Sequence, residues 1–154
     1  MMRIRVLRRL TVEEVRRRIR ELERKYGGSL TEPSDRSVEG WIERLEDYLE
    51  WSGMMNALRA YDEEGESEYY VEETWELPAE DLSKLTPKRL ELLDALSRMR
   101  FSSISELAEH LRRDVKNVYL DLKALEELGF IRLRRHGRSL IPELRVEELT
   151  LLLG

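Results

Sequence analysis

The chain has 154 residues, 27 basic and 32 acidic side chains, a net charge of −5, two histidines and no cysteine. The absence of cysteine excludes a disulfide framework, a thiolate zinc site and a cysteine nucleophile, and 41% apolar residues exclude a wholly disordered chain. No apolar run approaches the ~20 residues of a membrane span, and Glu13 and Glu14 interrupt what would have to be a signal peptide's apolar stretch, so a cytoplasmic protein with no membrane partner is expected.

Charge is unevenly spread. Residues 1–30 carry +6, residues 31–80 carry −13 and residues 81–154 carry +2. A protein that held nucleic acid by bulk charge would be basic throughout, so any DNA contact must use a local basic face in the last third. Arginine outnumbers lysine 22 to 5, glutamine is absent, and Asn56 and Asn117 are the only asparagines. Scarce amides and abundant charge suggest a thermophile's chain.

Met1–Leu7 reads as a short strand. Thr11-Val12-Glu13-Glu14 is a capping box, opening a helix whose Val12, Val15, Ile19, Leu22 and Tyr26 recur at heptad spacing. Gly27-Gly28 stops it, and residues 29–36 read as a loop. A second helix is predicted over Ser37–Tyr61. Val38, Trp41, Leu45 and Tyr48 form its stripe, Ile42, Leu49 and Trp51 widen it, and Met54, Met55 and Leu58 continue it beyond a kink at Gly53. Two helices alone offer little cover for so many large side chains. Val15, Ile19, Leu22, Trp41, Leu45, Tyr48, Trp51 and Met55 are therefore taken as a dimer or partner-binding set, with an intramolecular core as the bland alternative.

Residues 62–80 mix acids (Asp62, Glu63, Glu64, Glu66, Glu68, Glu72, Glu73, Glu76) with Tyr69, Tyr70 and Trp75. Such a stretch is either a solvated linker or a segment that docks on a cationic surface, on the first helix or on a basic partner.

Organisation is clearest over residues 86–142. Thr86-Pro87 starts a helix carrying Leu90, Leu93, Leu96 and Met99, with Leu92 widening the apolar face. Ser103-Ile104-Ser105-Glu106 opens a short helix. Arg112-Arg113 makes a tight link, and Asp114 caps a third helix with Val115, Val118, Leu122, Leu125 and Leu128 inward and Gly129 at its end. Residues 130–134 alternate as a strand, 135–138 turn and 139–142 return.

Helix, short helix, tight turn, helix and hairpin is the order of a winged helix-turn-helix. The expected fold is mainly α with a small β wing: an N-terminal helical region over 1–80, the winged domain over 81–145 and an apolar tail over 146–154 that fits either helix or strand. The third helix then turns Lys116, Asn117, Tyr119, Leu120 and Lys123 outward, Arg112 and Arg113 lie at its positive end, and Arg134, Arg135, His136 and Arg138 tip the wing. Asparagine pairs bidentately with adenine, and lysine donates to guanine or phosphate. These ten cationic or polar residues, Leu120 aside, form the candidate DNA-binding set.

The segments Leu85-Thr86-Pro87-Lys88-Arg89-Leu90 and Arg113–Tyr119, with Asp121–Gly129, resemble archaeal winged-helix transcriptional regulators, broadly MarR-like. The resemblance implies double-stranded operator DNA as ligand, no cofactor, and Arg113, Lys116, Asn117 and Tyr119 in the recognition region, where position 120 suits a polar side chain rather than Leu120. Relatives of this type often look like the DNA-binding antitoxin of a toxin–antitoxin pair. That implies a second reading, in which the acidic segment neutralises a basic toxin-like protein. No phosphate-binding loop, dinucleotide fingerprint or zincin motif occurs. Glu106, His110 and Asp114 form a line too sparse for a metal, so neither an enzyme nor a metal site is expected.

Overall fold

The computed structural model describes residues 1–28, 31–65 and 69–154. The start of the predicted 29–36 loop, and Glu66 and Glu68 of the acidic segment, lie outside the described residues. Two compact units emerge: Arg9–Val71, and Met1–Arg8 together with Glu72–Gly154. The lines drawn from sequence at 80/81 and 145/146 do not coincide with them, because both ends of the chain enter one unit.

The mainly α expectation is overturned. Among the described residues there are six helices and five strands in two antiparallel sheets, about 51% helix and 23% strand, a mixed α/β chain. The strand expected near Met1–Leu7 is present as β1 (Met2–Arg9), and the tail left open between helix and strand is β5 (Val146–Leu152); the unforeseen part is β2 (Tyr70–Leu77) and the joining of the three in one sheet, in the order β2-β1-β5. Its strands lie some seventy residues apart in sequence, so no local signal announces their pairing.

The Arg9–Val71 unit is a helical hairpin. In α1 (Val12–Tyr26), the Thr11 hydroxyl accepts from Glu14 N at 3.2 Å, and Gly27, at φ 68°, ends the helix in the left-handed conformation. The helix α2 (Trp41–Glu64) begins after Gly40, later than the predicted Ser37, and runs through Gly53 unbroken. A Cβ at Gly53 would meet the Tyr69 ring at 3.0 Å, so the glycine serves a close approach and not a kink. Val15, Ile19, Leu22 and Met54 are buried with Leu10 in this unit's own core, and Tyr26, Trp51 and Leu58 flank it. Polar contacts border the same seam: Arg18 donates to Glu50 at 2.9 Å, and Lys25 and Tyr26 donate to the buried Asp47. Burial alone would raise the Asp47 carboxyl, but these donors hold it below the ordinary range.

In the other unit, α4 (Pro87–Arg98), α5 (Ile104–Leu111) and α6 (Val115–Glu127) pack around Leu92, Leu107, Val118, Leu122, Leu125 and Phe130. A short helix, α3 (Ala79–Leu82), precedes them, and the hairpin of β3 (Ile131–His136) and β4 (Ser139–Leu144) follows. Ile4, Val6 and Val146 bring the three-stranded sheet into the same core.

The acidic segment is divided between the units: Tyr69 and Val71 pack against the core of the helical hairpin, and residues from Glu72 on belong to this unit. Trp75 stacks on Phe130 with centroids 5.9 Å apart, and Glu73 takes Trp75 Nε1 at 2.8 Å and Arg8 at 2.7 Å. Glu72 pairs with Arg5 at 3.3 Å. Glu72 and Glu73 thus meet cations of β1.

Candidate nucleic-acid interface

Three helix starts and one tight turn set the geometry of the candidate face. Thr86 accepts from Arg89 N at 3.4 Å to start α4, and Ser103 accepts from Glu106 N at 3.1 Å to start α5. The Glu106 carboxylate returns to Ser102 N at 2.7 Å, one residue before the cap position that the sequence motif implies. Asp114 holds the N-cap position of α6 without a side-chain cap bond. Between α5 and α6 the chain turns at Arg112, whose φ of 54° is the only positive value at a non-glycine among the described residues. Its N–H accepts the role of closing α5, donating to Glu109 O at 3.1 Å.

From this turn α6 is laid down with Val118, Leu122 and Leu125 inward. Val115, expected in the core, is instead exposed. One turn into the helix the apolar face has rotated away from position 115, so α6 enters the core only at 118. Lys116, Asn117, Tyr119 and Leu120 form the outward face, Leu120 being 53% exposed. The side chains of Arg112, Lys116 and Asn117 make no hydrogen bond or ion pair to any described residue.

Two members of the sequence-derived set are otherwise engaged. Arg113 turns inward, 14% exposed, and donates to Asp121 Oδ2 at 2.6 Å, while Arg89 of α4 reaches Asp121 Oδ1 at 3.0 Å. This Arg–Asp–Arg bridge ties α6 to α4 and to the turn. The Arg113 Nη1 atom is buried without a hydrogen-bond partner among the described residues. Burial would raise the Asp121 carboxyl, but the hydrogen bonds from Arg113 and Arg89 hold it below its usual range. Lys123 pairs with Glu126 one turn on, at 2.9 Å. Glu126 also accepts from Leu133 N at 2.8 Å, which fastens the first hairpin strand to the end of α6.

The hairpin register runs from Ile131↔Leu144 to His136↔Ser139, with Gly137, at φ 61°, in the two-residue turn. Arg135 and His136 therefore close β3 and do not sit in the turn itself. Glu143 neutralises the hairpin's base: Arg134 donates to it at 2.6 Å and Arg132 at 2.8 Å. Its carboxyl, which burial would raise, is held below the ordinary range by both arginines. Arg135, His136 and Arg138 remain exposed at the tip, with no ion pair to any described residue.

The ten candidates thus divide. Arg112, Lys116, Asn117, Tyr119, Arg135, His136 and Arg138 present open side chains, whereas Arg113, Lys123 and Arg134 are held by carboxylates. The sequence reading missed those carboxylates, Asp121, Glu126 and Glu143. The hairpin register sets Arg132 opposite Glu143, with Arg134 its diagonal neighbour, and was readable in principle; the Arg113–Asp121 bond, eight residues apart, carries no sequence signal.

The partner-binding set divides too. Val15, Ile19 and Leu22 are covered by the chain's own α2 and are closed to a partner. Trp41, Leu45, Tyr48 and Trp51 are half-buried, and Met55 is exposed. Of the Glu106–His110–Asp114 line, Glu106 serves Ser102 and His110 lies against the Phe101 ring at 5.3 Å. No group of three metal-ligating side chains occurs among the described residues, nor is any of their helices long and apolar enough to cross a membrane.

Residues 84–151 of the chain are similar to the family HVO_A0114. The match begins just before α4 and ends within β5, so it takes in the open face of α6 and the hairpin and leaves out the whole Arg9–Val71 unit. No curated protein matches the chain.

Proposed function

We propose that this protein is a sequence-specific DNA-binding transcriptional regulator of the cytoplasm, without a cofactor, acting as a dimer through a winged helix-turn-helix. In this reading α6 enters the major groove and the β3–β4 hairpin lies along the flanking backbone. The observation that carries it is the arginine at position 112. A left-handed residue favours glycine and costs an L-side chain about 1 kcal/mol or more, yet the chain places there a cation with no partner among the described residues, beside the positive end of α6. Phosphate is the ligand that such a position favours. Asn117 then faces base edges, and Arg135 and Arg138 face backbone.

Paired substitutions test the division of labour. Asn117→Ala is expected to alter base preference at a cost of about 1–3 kcal/mol. Arg135→Ala is expected to weaken binding to all sequences and to shallow the salt dependence by about one charge. Equal losses on operator and random DNA for both variants would contradict the assignment.

A second reading, an antitoxin-type module that neutralises a partner protein and binds DNA only for autoregulation, draws support from α2. Its Ile42 and Leu49 are 59% and 60% exposed on one side of the helix. Co-purification with a neighbour-encoded protein that is lost in Ile42→Asp/Leu49→Asp would favour it.

A further inference from the structure

The two edges of the three-stranded sheet are built differently. At one edge, β2 carries Glu72, Glu73 and Glu76, the charged residues by which natural sheets discourage pairing with another chain. At the other edge, β5 has charge only at Glu147 and Glu148; from Leu149 through its end at Leu152 and on to Leu153 the chain holds one threonine and four leucines, with no proline or lysine. The register of β5 on β1 moves from Leu7↔Glu148 to Arg8↔Val146, so Glu147 is the extra residue of a bulge. The bulge puts Leu149 and Leu151 on the same side as buried Val146. On β1 their partners are Val6 and Ile4, both fully covered. Leu149 and Leu151 are nevertheless 39% and 45% exposed. The core-side apolar row therefore runs past its cover and ends at an edge that bears no further strand among the described residues.

We infer that β5 is the dimer element, pairing antiparallel with the β5 of a second copy across a two-fold axis at Leu151. The occupant and the register follow from charge and spacing. Centred on Leu151, the pairing sets Leu149 against Leu153 and Thr150 against Leu152, and puts Glu148 opposite Gly154. Leucine meets leucine on the core side, and Glu148 faces neither a glutamate nor a leucine. Centring on Thr150 would set Glu147 and Glu148 against Leu153 and Leu152, and centring on Leu149 would set Glu147 against Leu151. Joined at β5, two three-stranded sheets make one of six strands whose outer edges are the charge-guarded β2 strands. This inference rests on the dimer in the reading above and not on DNA binding.

The cysteine-free chain supplies a clean test. Full-length Leu151→Cys, treated with diamide, is expected to give a disulfide-linked species of twice the 18.4 kDa chain mass, since directly opposed residues of antiparallel strands bring their Cβ atoms within disulfide reach. Leu120→Cys on α6 and Met55→Cys on α2, treated alike, are expected to stay uncross-linked. Light scattering on Leu149→Lys/Leu151→Lys, with far-UV circular dichroism as the folding control, is expected to report a monomer where the wild type is a dimer. Should the lysine pair fail to fold, the cysteine result decides alone. A wild-type dimer in which Met55→Cys cross-links and Leu151→Cys does not overturns the inference and leaves the dimer standing. A wild type that is monomeric at tens of micromolar overturns both, while DNA binding by the monomer is judged separately by titration.

Discussion

At the level of single residues, the cations of the last third fall into two chemical states. Arg113, Arg132 and Arg134 are fixed by carboxylates and orient the chain; Arg112, Arg135 and Arg138 are open to a ligand. Replacing Arg112 by glycine separates stability from binding, because it removes left-handed strain and a cation together. Arg112→Gly is expected to raise thermal stability, by roughly 1 kcal/mol, and to weaken DNA binding with a shallower salt slope. A melt and a salt titration on the same preparation check both halves, and unchanged affinity would count against the role given to this turn.

The fixed carboxylates predict acid behaviour. Asp121 and Glu143 titrate below their unfolded values. Their contribution to stability is therefore full above the ordinary carboxylate range and is lost as pH falls through their folded values. Thermal stability is expected to drop below about pH 4, and Asp121→Asn is expected to lower stability at pH 7 and flatten that drop. A melting series from pH 7 to pH 3 on both proteins shows whether the two curves converge.

Among the elements, those with local signals were legible. The Thr11, Thr86 and Ser103 caps, the Gly27 stop and the α1 stripe all stand where their spacing put them. Phase was harder to read. The predicted stripe on α4 was Leu90, Leu93, Leu96 and Met99 with Leu92 widening it, yet Leu92 and Ala95 form the buried line, Leu93 and Leu96 pack beside it, and Leu90 and Met99 are half-exposed. A helix so rich in leucine offers two overlapping stripes, and the choice between them belongs to the partner helices. The β2 strand was read only as an acidic–aromatic stretch, although its residues alternate cleanly between outer and inner faces. Glutamates on both faces, Glu72 and Glu76 outward and Glu73 inward, hide a strand whose inward side chain, Trp75, finds Phe130 some fifty residues later. That contact constrains Gly129, which sits at φ 87° with Trp75 3.3 Å from where a Cβ would lie. Gly129→Ala is expected to cost about 1–2 kcal/mol in chemical denaturation without altering the salt slope of DNA binding. A variant as stable as the wild type would show that the Trp75 ring yields freely.

For the whole molecule, the chain folds as two units, and the one matched by the family contains every open cation of the candidate face. The acidic middle, residues 31–80 with a net charge of −13, is partly cancelled by internal pairs such as Glu50 with Arg18, Asp47 with Lys25, and Glu73 with Arg8. A net charge of −5 is therefore compatible with a local cationic face. The candidate face was legible because helix periodicity and hairpin alternation are short-range. Which of its cations are free was not, since that depends on carboxylates brought in by tertiary contacts.

Titration of the full-length protein with a duplex from its own upstream region and with a random duplex, from 50 to 200 mM salt, tests the central claim most directly. The account predicts tighter binding to the upstream duplex at every salt concentration, with log affinity falling linearly against log salt at a slope that several phosphate contacts would give. Equal affinity for the two duplexes, or no binding to either at the lowest salt, would contradict it.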